Sequence, residues 1–315
     1  MSESESIGWI SGFWRRIGSF FIDSIFLGVV GLGLGLVFEG VFVEIGVWGR
    51  LIGFSIALIY FGTMNSTVFN GQTIGKRLLK IRVVNKNNNT VGLARSFFRY
   101  SIIGVPFFLN NAQLPAEILS SFWLYGLSFI IFGGLFSLVY LYVFNRATRQ
   151  SLHDLLFGTY VVNIDVAEES IKPIWRPHFV VVVLLFVSAA IIPVYTSGLM
   201  QQKSFSDLLK TQRILSAHPL VNHVAVSYGK TITNTTKAGV AETTYVSARI
   251  LLKNNQIVDT EFAREIAESI VSNYSEALEK DFVLVNFIYG YDIGIASKWK
   301  SYSHKFNPGK ILKRN

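Results

Sequence analysis

RRIGSFFID, residues 15–23, sets two arginines at the mouth of an apolar run and then a carboxylate, Asp23, where a bilayer-spanning helix ordinarily carries none. The run continues to residue 38, and 17–38 is long enough to cross a membrane, which takes about 20 apolar residues. An Asp at the centre of such a helix costs roughly 2.5–3.5 kcal/mol on insertion scales, less near an end, so Asp23 has to face protein partners and not lipid. Arg16 and Asp23 stand seven residues apart, on nearly one helical face and roughly 10.5 Å along the axis. Ser19 lies between them on that face, small enough to let another element approach closely.

The whole chain agrees with a membrane reading. Half of its 315 residues are hydrophobic and only 16% are charged, where a soluble domain carries about a quarter, and mean hydropathy is +0.41. With no cysteine, there is no disulfide, thiolate metal site or cysteine nucleophile to consider. The net charge of +9 would point to nucleic acid in a soluble protein; in a membrane protein its distribution matters more, and no nucleic-acid partner is expected.

Further candidate spans are 51–69, two within 97–144, and 179–195, making about five. The pair within 97–144 is divided by the polar stretch NNAQLPAE, 110–117. Residues 71–99 hold Lys76, Arg77, Lys80, Arg82, Lys86, Arg95 and Arg99 with no acid, so this loop is expected in the cytoplasm together with Arg15 and Arg16. Glu39, Glu44 and Glu117 then fall outside; Arg50 is the one flanking charge that disagrees. Arg146, Arg149, Lys172 and Arg176 return 145–176 to the inside, and residues beyond about 200 emerge outside. The first run is too long for a signal-peptide core and no A-x-A cleavage pattern follows it, so it is read as a retained helix.

Two more stretches complete a pattern with RRIGSFFID: GQTIGKRLLKIRVV, 71–84, and RQSLHDLLFGTYVV, 149–162. Together, over residues 13–163, they resemble the RDD family of membrane proteins, named for one arginine and two aspartates. On that resemblance Arg16 takes the arginine's place and Asp23 and Asp154 the aspartates'. Gly71, Thr73, Gly75 and Lys76 match the glycine-threonine element, with His153 beside the second aspartate and Arg95 and Arg99 before the third helix. The resemblance implies a helical bundle, and for its activity either cation/proton antiport or an assembly role. The residues themselves add that LLKIRVV and GTYVVNI read as short strands able to pair on the cytoplasmic side. The glycine–lysine element is not a phosphate loop, because its spacing is one residue short and Arg77 follows Lys76.

Arg16, Asp23 and Asp154 are read as a structural network, with an ion or proton relay as the alternative; His153 is read as a loop histidine or a relay partner. Gly31-x-x-x-Gly35 is read as packing within the bundle in preference to dimerisation, and a homo-oligomer stays open. Asn65, Ser66 and Thr67 are read as terminating the second span. No His, Cys or carboxylate spacing suggests a metal, no cofactor is implied, and no nucleophile–base pairing suggests an enzyme.

From residue 221 the sequence becomes strand-like: VNHVAVSYG, TTYVSARILL and DFVLVNFIYGY, with a helix capped by Asp259 before the last. The expected organisation is therefore a membrane domain, 1–163; a linker and fifth transmembrane helix, 164–200; a polar connector or short helix, 201–220; a soluble α+β domain outside, 221–305; and a loose basic tail, 306–315. In YGYDIGIASKW, 289–299, Tyr289, Tyr291 and Trp299 are candidates for a partner surface, against the plainer reading of a core strand and turn. The expected function is that of a multi-pass plasma-membrane protein anchoring an extracytoplasmic domain that binds an envelope protein. The alternative is a cation/proton transporter working through Asp23 and Asp154.

Overall fold

The computed structural model describes residues 8–110, 112, 118, 121–200, 203–235 and 239–311. Helix α1, Phe13–Ile45, turns through a short 3-10 segment, Gly46–Trp48, into α2, Gly49–Met64. The two double back on each other: Phe26 meets Tyr60 and Phe20 stacks on Phe61. The second span was expected to reach residue 69, but α2 stops at Met64, where Ser66 caps a 3-10 turn over Thr67–Phe69. Helix α3, Ile74–Leu78, leads into β1, Ile81–Asn85; α4, Leu93–Leu109, packs along α2 and carries Pro106 in its last turn.

The polar turn 110–117 lies mostly outside the described residues. Beyond it α5, Trp123–Phe144, contains a π-helical turn over Phe129–Gly133. A Cβ on Gly133 would occupy the space of the Phe186 ring, so the turn brings α5 close to α7, Pro177–Met200. Between them α6, Leu152–Phe157, precedes β2, Thr159–Asn163, which pairs antiparallel with β1 from Ile81 opposite Asn163 to Asn85 opposite Thr159. The β-branched runs that suggested two short strands thus form one small sheet, and Ile10 bridges to its Val162 edge. Three described stretches are long and apolar enough to cross a bilayer: Phe13–Met64, which is α1 and α2 together, Trp123–Phe144 and Pro177–Tyr195.

The C-terminal region is an α+β unit. Strands β3, Val221–Thr235; β4, Gly239–Leu252; β5, Phe282–Asp292; and β6, Ser297–Phe306, form a sheet in that order. The middle pair runs parallel through α9, Thr260–Asn273, which Asp259 caps by accepting from the Glu261 and Phe262 amides at 3.0 Å. Alternate residues of β4 and β5, among them Val246, Ile250, Val283 and Phe287, face the α9 stripe of Phe262, Ile266 and Ile270.

Of the connector or short helix expected over 201–220, the structure has the helix: α8, Lys203–Ser216, whose Leu208 and Leu215 are buried in that same core, so it is a layer of the unit. The tail is not loose throughout its described part: Pro308–Ile311 forms helix α10 and buries Ile311. Strand β6 was not foreseen, because its polar residues are exposed on both faces, as an edge strand permits.

Candidate functional site

One face of α1 is buried, through Arg16, Ser19, Asp23, Leu27, Gly31 and Gly35, and this stripe organises everything around it. Asp23 has no solvent exposure. Its Oδ1 accepts from Tyr60 Oη at 2.7 Å and from the Gly75 amide at 2.8 Å, and its Oδ2 from Thr73 Oγ1 at 2.6 Å. Thr73 also caps α3, accepting from the Lys76 amide. A Cβ on Gly75 would strike the Ser19 carbonyl, so the absent side chain is what lets α3 reach the carboxylate. Gly71 turns the chain ahead of it at φ +71°, and a Cβ there would strike the Val83 carbonyl.

Asp154 forms a second node. Arg16 Nη2 donates to its Oδ2 at 2.6 Å, while its Oδ1 accepts from Arg99 Nη2 at 2.7 Å, Arg99 Nε at 3.0 Å and Thr159 Oγ1 at 2.7 Å. Arg16 Nη1 donates to the Arg149 carbonyl, and Arg95 to that of Phe157, fastening both approaches to α6. Burial alone would raise the Asp154 carboxyl, but the adjacent His153, the guanidiniums of Arg99 and Arg16 and the Thr159 hydroxyl override it and hold it below the usual carboxylate range. His153 Nε2 lies 3.4 Å from Asp154 Oδ2, and its Nδ1 is buried with no hydrogen-bond partner among the described residues. Burial, aided by the charges of Arg99, Arg16 and Lys76, pushes this imidazole down to about 3 despite Asp154.

The expected single network of Arg16, Asp23 and Asp154 is therefore two separate clasps. Arg16 serves only Asp154 of the two carboxylates, and among the described residues no cation bonds Asp23. Tyr60 and Thr159 were not foreseen: a tyrosine within an apolar helix and a threonine opening a strand carry no signal that they face a carboxylate.

Between α1 and α5 lies a cavity of about 380 Å³. Arg16, Lys76, Arg99, His153 and Asn65 line its polar side. Lys76 has no ion pair, and its ammonium no hydrogen bond, among the described residues; burial draws that group down to about 8, against the pull of Asp23. No three His, Asp or Glu side chains among the described residues are grouped to hold a metal.

At the opposite end of α1 the sheet unit meets the helices. The turn between β5 and β6 carries Ile293, Ile295 and Ala296 into a slot between α1, α2 and α4. Cβ atoms on Gly31, Gly35, Gly49 and Gly53 would meet, respectively, Ala296, the Tyr291 hydroxyl, the Asp292 carbonyl and the Ile293 carbonyl. Gly294, at φ +80°, passes under the Phe108 ring, and its amide donates to Asp292 Oδ1 at 2.6 Å. Arg50 pairs with Asp292 at 2.6 Å and Lys298 with Glu39 at 2.6 Å. The Gly31–Gly35 spacing thus receives the β5–β6 turn at Gly31 and the end of β5 at Gly35, in place of the expected helix.

The proposed partner surface is corrected accordingly. Tyr291 is 3% exposed, pressed between Gly35 and Phe42, and Tyr289 joins the same cluster; Trp299, at 42%, remains on the surface.

The comparisons follow the same division of the chain. Residues 10–158, which contain Asp23, Asp154 and all their clasp partners but Thr159, match the RDD family model. The uncharacterized protein YckC of Bacillus subtilis (strain 168) is 26% identical over 162 residues, 51% of this chain and 90% of that protein. No solved structure matches the chain. Over residues 10–158, just under half of its length, the chain is therefore similar to the RDD family, and Arg16, Asp23 and Asp154 lie within the matched stretch.

Proposed function

We propose that this is a non-enzymatic, multi-pass plasma-membrane protein whose RDD-type bundle holds the C-terminal α+β unit in a fixed pose on the extracytoplasmic face, where the unit binds another envelope component. The observation that carries this reading is the β5–β6 turn seated between α1, α2 and α4, which makes the sheet unit a docked part of the bundle and not a tethered one. Five crossings, α1, α2, α4, α5 and α7, accommodate the charges: the β1–β2 sheet with its lysines and arginines lies in the cytoplasm, and the Glu39–Arg50 end outside. Arg50, which disagreed with this orientation on charge alone, has Asp292 as its counter-ion. The non-helical 292–296 backbone is tolerated at membrane depth because protein surrounds it.

The transport alternative has less support. Both Asp23 oxygens accept from neutral donors, and Asp154 is held by two arginines, so neither carboxylate is open to an exchanging ion.

Two experiments test the proposal. Reporters fused after Asn315 should be active only on the outside, and activity confined to the cytoplasm would reject the orientation. Glu39 of α1 and Lys298 of β6 pair at 2.6 Å across the contact between the bundle and the sheet unit, and the chain has no cysteine of its own. The Glu39→Cys/Lys298→Cys protein should therefore be bridged within one chain by a short bismaleimide; two singly modified thiols in place of the bridge would reject the docked pose.

A further inference from the structure

The cavity between α1 and α5 has two unlike sides. Its inner wall gathers three cations, Arg16, Lys76 and Arg99, against which stand Asp154 and, behind Lys76, Asp23. These five groups sum to one uncompensated positive charge in a partly desolvated space. Asp154 takes up hydrogen bonds from both arginines, whereas the Lys76 ammonium has no partner among the described residues. Two further polar atoms in this wall, His153 Nδ1 and Asn65 Oδ1, are buried and without hydrogen-bond partners there, although both side chains are more than nine-tenths buried. Buried polar groups are nearly always satisfied, so two such atoms beside an unpartnered, half-buried ammonium around one cavity indicate something that fills it.

The outer wall is apolar. Ile17 and Phe20 of α1 and Val139 and Val143 of α5 line the cavity and are themselves exposed on the flank where a bilayer would lie. A free anion would gain nothing from these side chains, while an acyl chain would pack along them. The volume suits a headgroup and the first part of its chains, with the remainder continuing into the membrane.

We propose that this cavity binds the phosphate headgroup of an anionic phospholipid, with Lys76 as the principal donor beside Arg16 and Arg99, and the acyl chains leaving between α1 and α5. A phosphodiester carries one negative charge, which matches the uncompensated charge of the wall. Lys76 sits on the family's glycine–lysine element, and α3 is held against α1 by Asp23, so the first clasp also fixes the position of the lipid-binding ammonium.

The full chain in a neutral detergent, titrated separately with dioctanoyl phosphatidylglycerol, dioctanoyl phosphatidylcholine and inorganic phosphate, tests this by native mass spectrometry and by the shift of the thermal midpoint. Phosphatidylglycerol should give a one-to-one adduct and raise the midpoint; phosphatidylcholine should bind about tenfold or more weaker because its choline adds a cation beside three others, and inorganic phosphate likewise because it has no acyl chains to pack on the apolar wall. Lys76→Met should remove that preference, by about tenfold in affinity on the same grounds, and should itself fold because no partner is lost. Val139→Trp, at the lipid-facing mouth, should weaken binding without touching any charge. Equal binding of phosphatidylcholine, equal binding of inorganic phosphate, or unchanged phosphatidylglycerol affinity in both variants would overturn the proposal.

Discussion

Arg50, at the start of α2, donates to Asp292, at the end of β5, at 2.6 Å, while its Nε holds the Phe108 carbonyl at 2.8 Å. One side chain thus ties the first hairpin, the end of α4 and the sheet together. Removing it in Arg50→Ala should cost about 2 kcal/mol, since a charge-assisted pair and a carbonyl partner go together, whereas Asp292→Asn should cost nearer 1 kcal/mol. Protease sensitivity of the 203–220 segment, measured in detergent, should rise in that order.

Glycine substitutions separate docking from helix stability. Gly53→Ala drives a methyl into the Ile293 carbonyl, a backbone atom that cannot yield, and should expel the turn. Gly33→Ala meets nothing within 4 Å and should be neutral or slightly stabilising, within about 1 kcal/mol. The check is the yield of the Glu39→Cys/Lys298→Cys bismaleimide bridge in each background, which should collapse only with Gly53→Ala.

The two carboxylates should respond unequally to neutralisation. Asp154→Asn leaves two buried arginines without their counter-ion, a loss of about 3–5 kcal/mol. In Asp23→Asn the amide oxygen can still accept from Gly75 and the Thr73 hydroxyl can reverse, so the loss should be about 2 kcal/mol. Thermal midpoints in detergent would show this ranking, and proton-coupled cation flux in vesicles should be absent from the parent protein as well as from both variants.

Acid should act first through His153. Its folded value of about 3 lies below the ordinary 6.5, so the unfolded chain takes up the proton first as pH falls. Stability is then unaffected above about pH 6.5 and declines from there towards pH 3, by up to about 1.4 kcal/mol per pH unit. Asp154 adds to this only at lower pH: its depressed carboxyl stabilises the fold above the ordinary carboxylate range, and that contribution is lost as pH falls through its folded value. Melting curves of His153→Gln should therefore be flatter than those of the parent between pH 6.5 and 4 and should converge with them in slope only below about pH 3.

What could be read from the sequence followed from costs that act locally. A carboxylate inside an apolar run has to be buried against protein, and Asp23 is. Runs of Val and Ile beside turn residues have to pair, and Ile81–Asn85 finds Thr159–Asn163. The identity of partners was hidden because it depends on contacts between distant segments: nothing near Asp23 announces Tyr60, Thr73 or the Gly75 amide. The glycines of α1 and α2 announced a close neighbour without saying which kind, since a helix and a loop need the same missing Cβ. Strand β6 escaped because an edge strand exposed on both faces needs no apolar alternation, and the Ile293–Ala296 turn because its apolar residues looked like ordinary core.

Arg50 and Asp292 are 242 residues apart, and the same separation governs how the molecule is put together. In the topology proposed above, a ribosome delivers α1 and α2 long before the β5–β6 turn exists, so during synthesis the glycine-lined groove is open to acyl chains. On that topology those chains have to be displaced when the last strands fold on the other side of the membrane. Maturation is thereby gated by completion of the distal domain, and a chain truncated before Tyr289 would keep an open furrow that quality-control proteases could recognise.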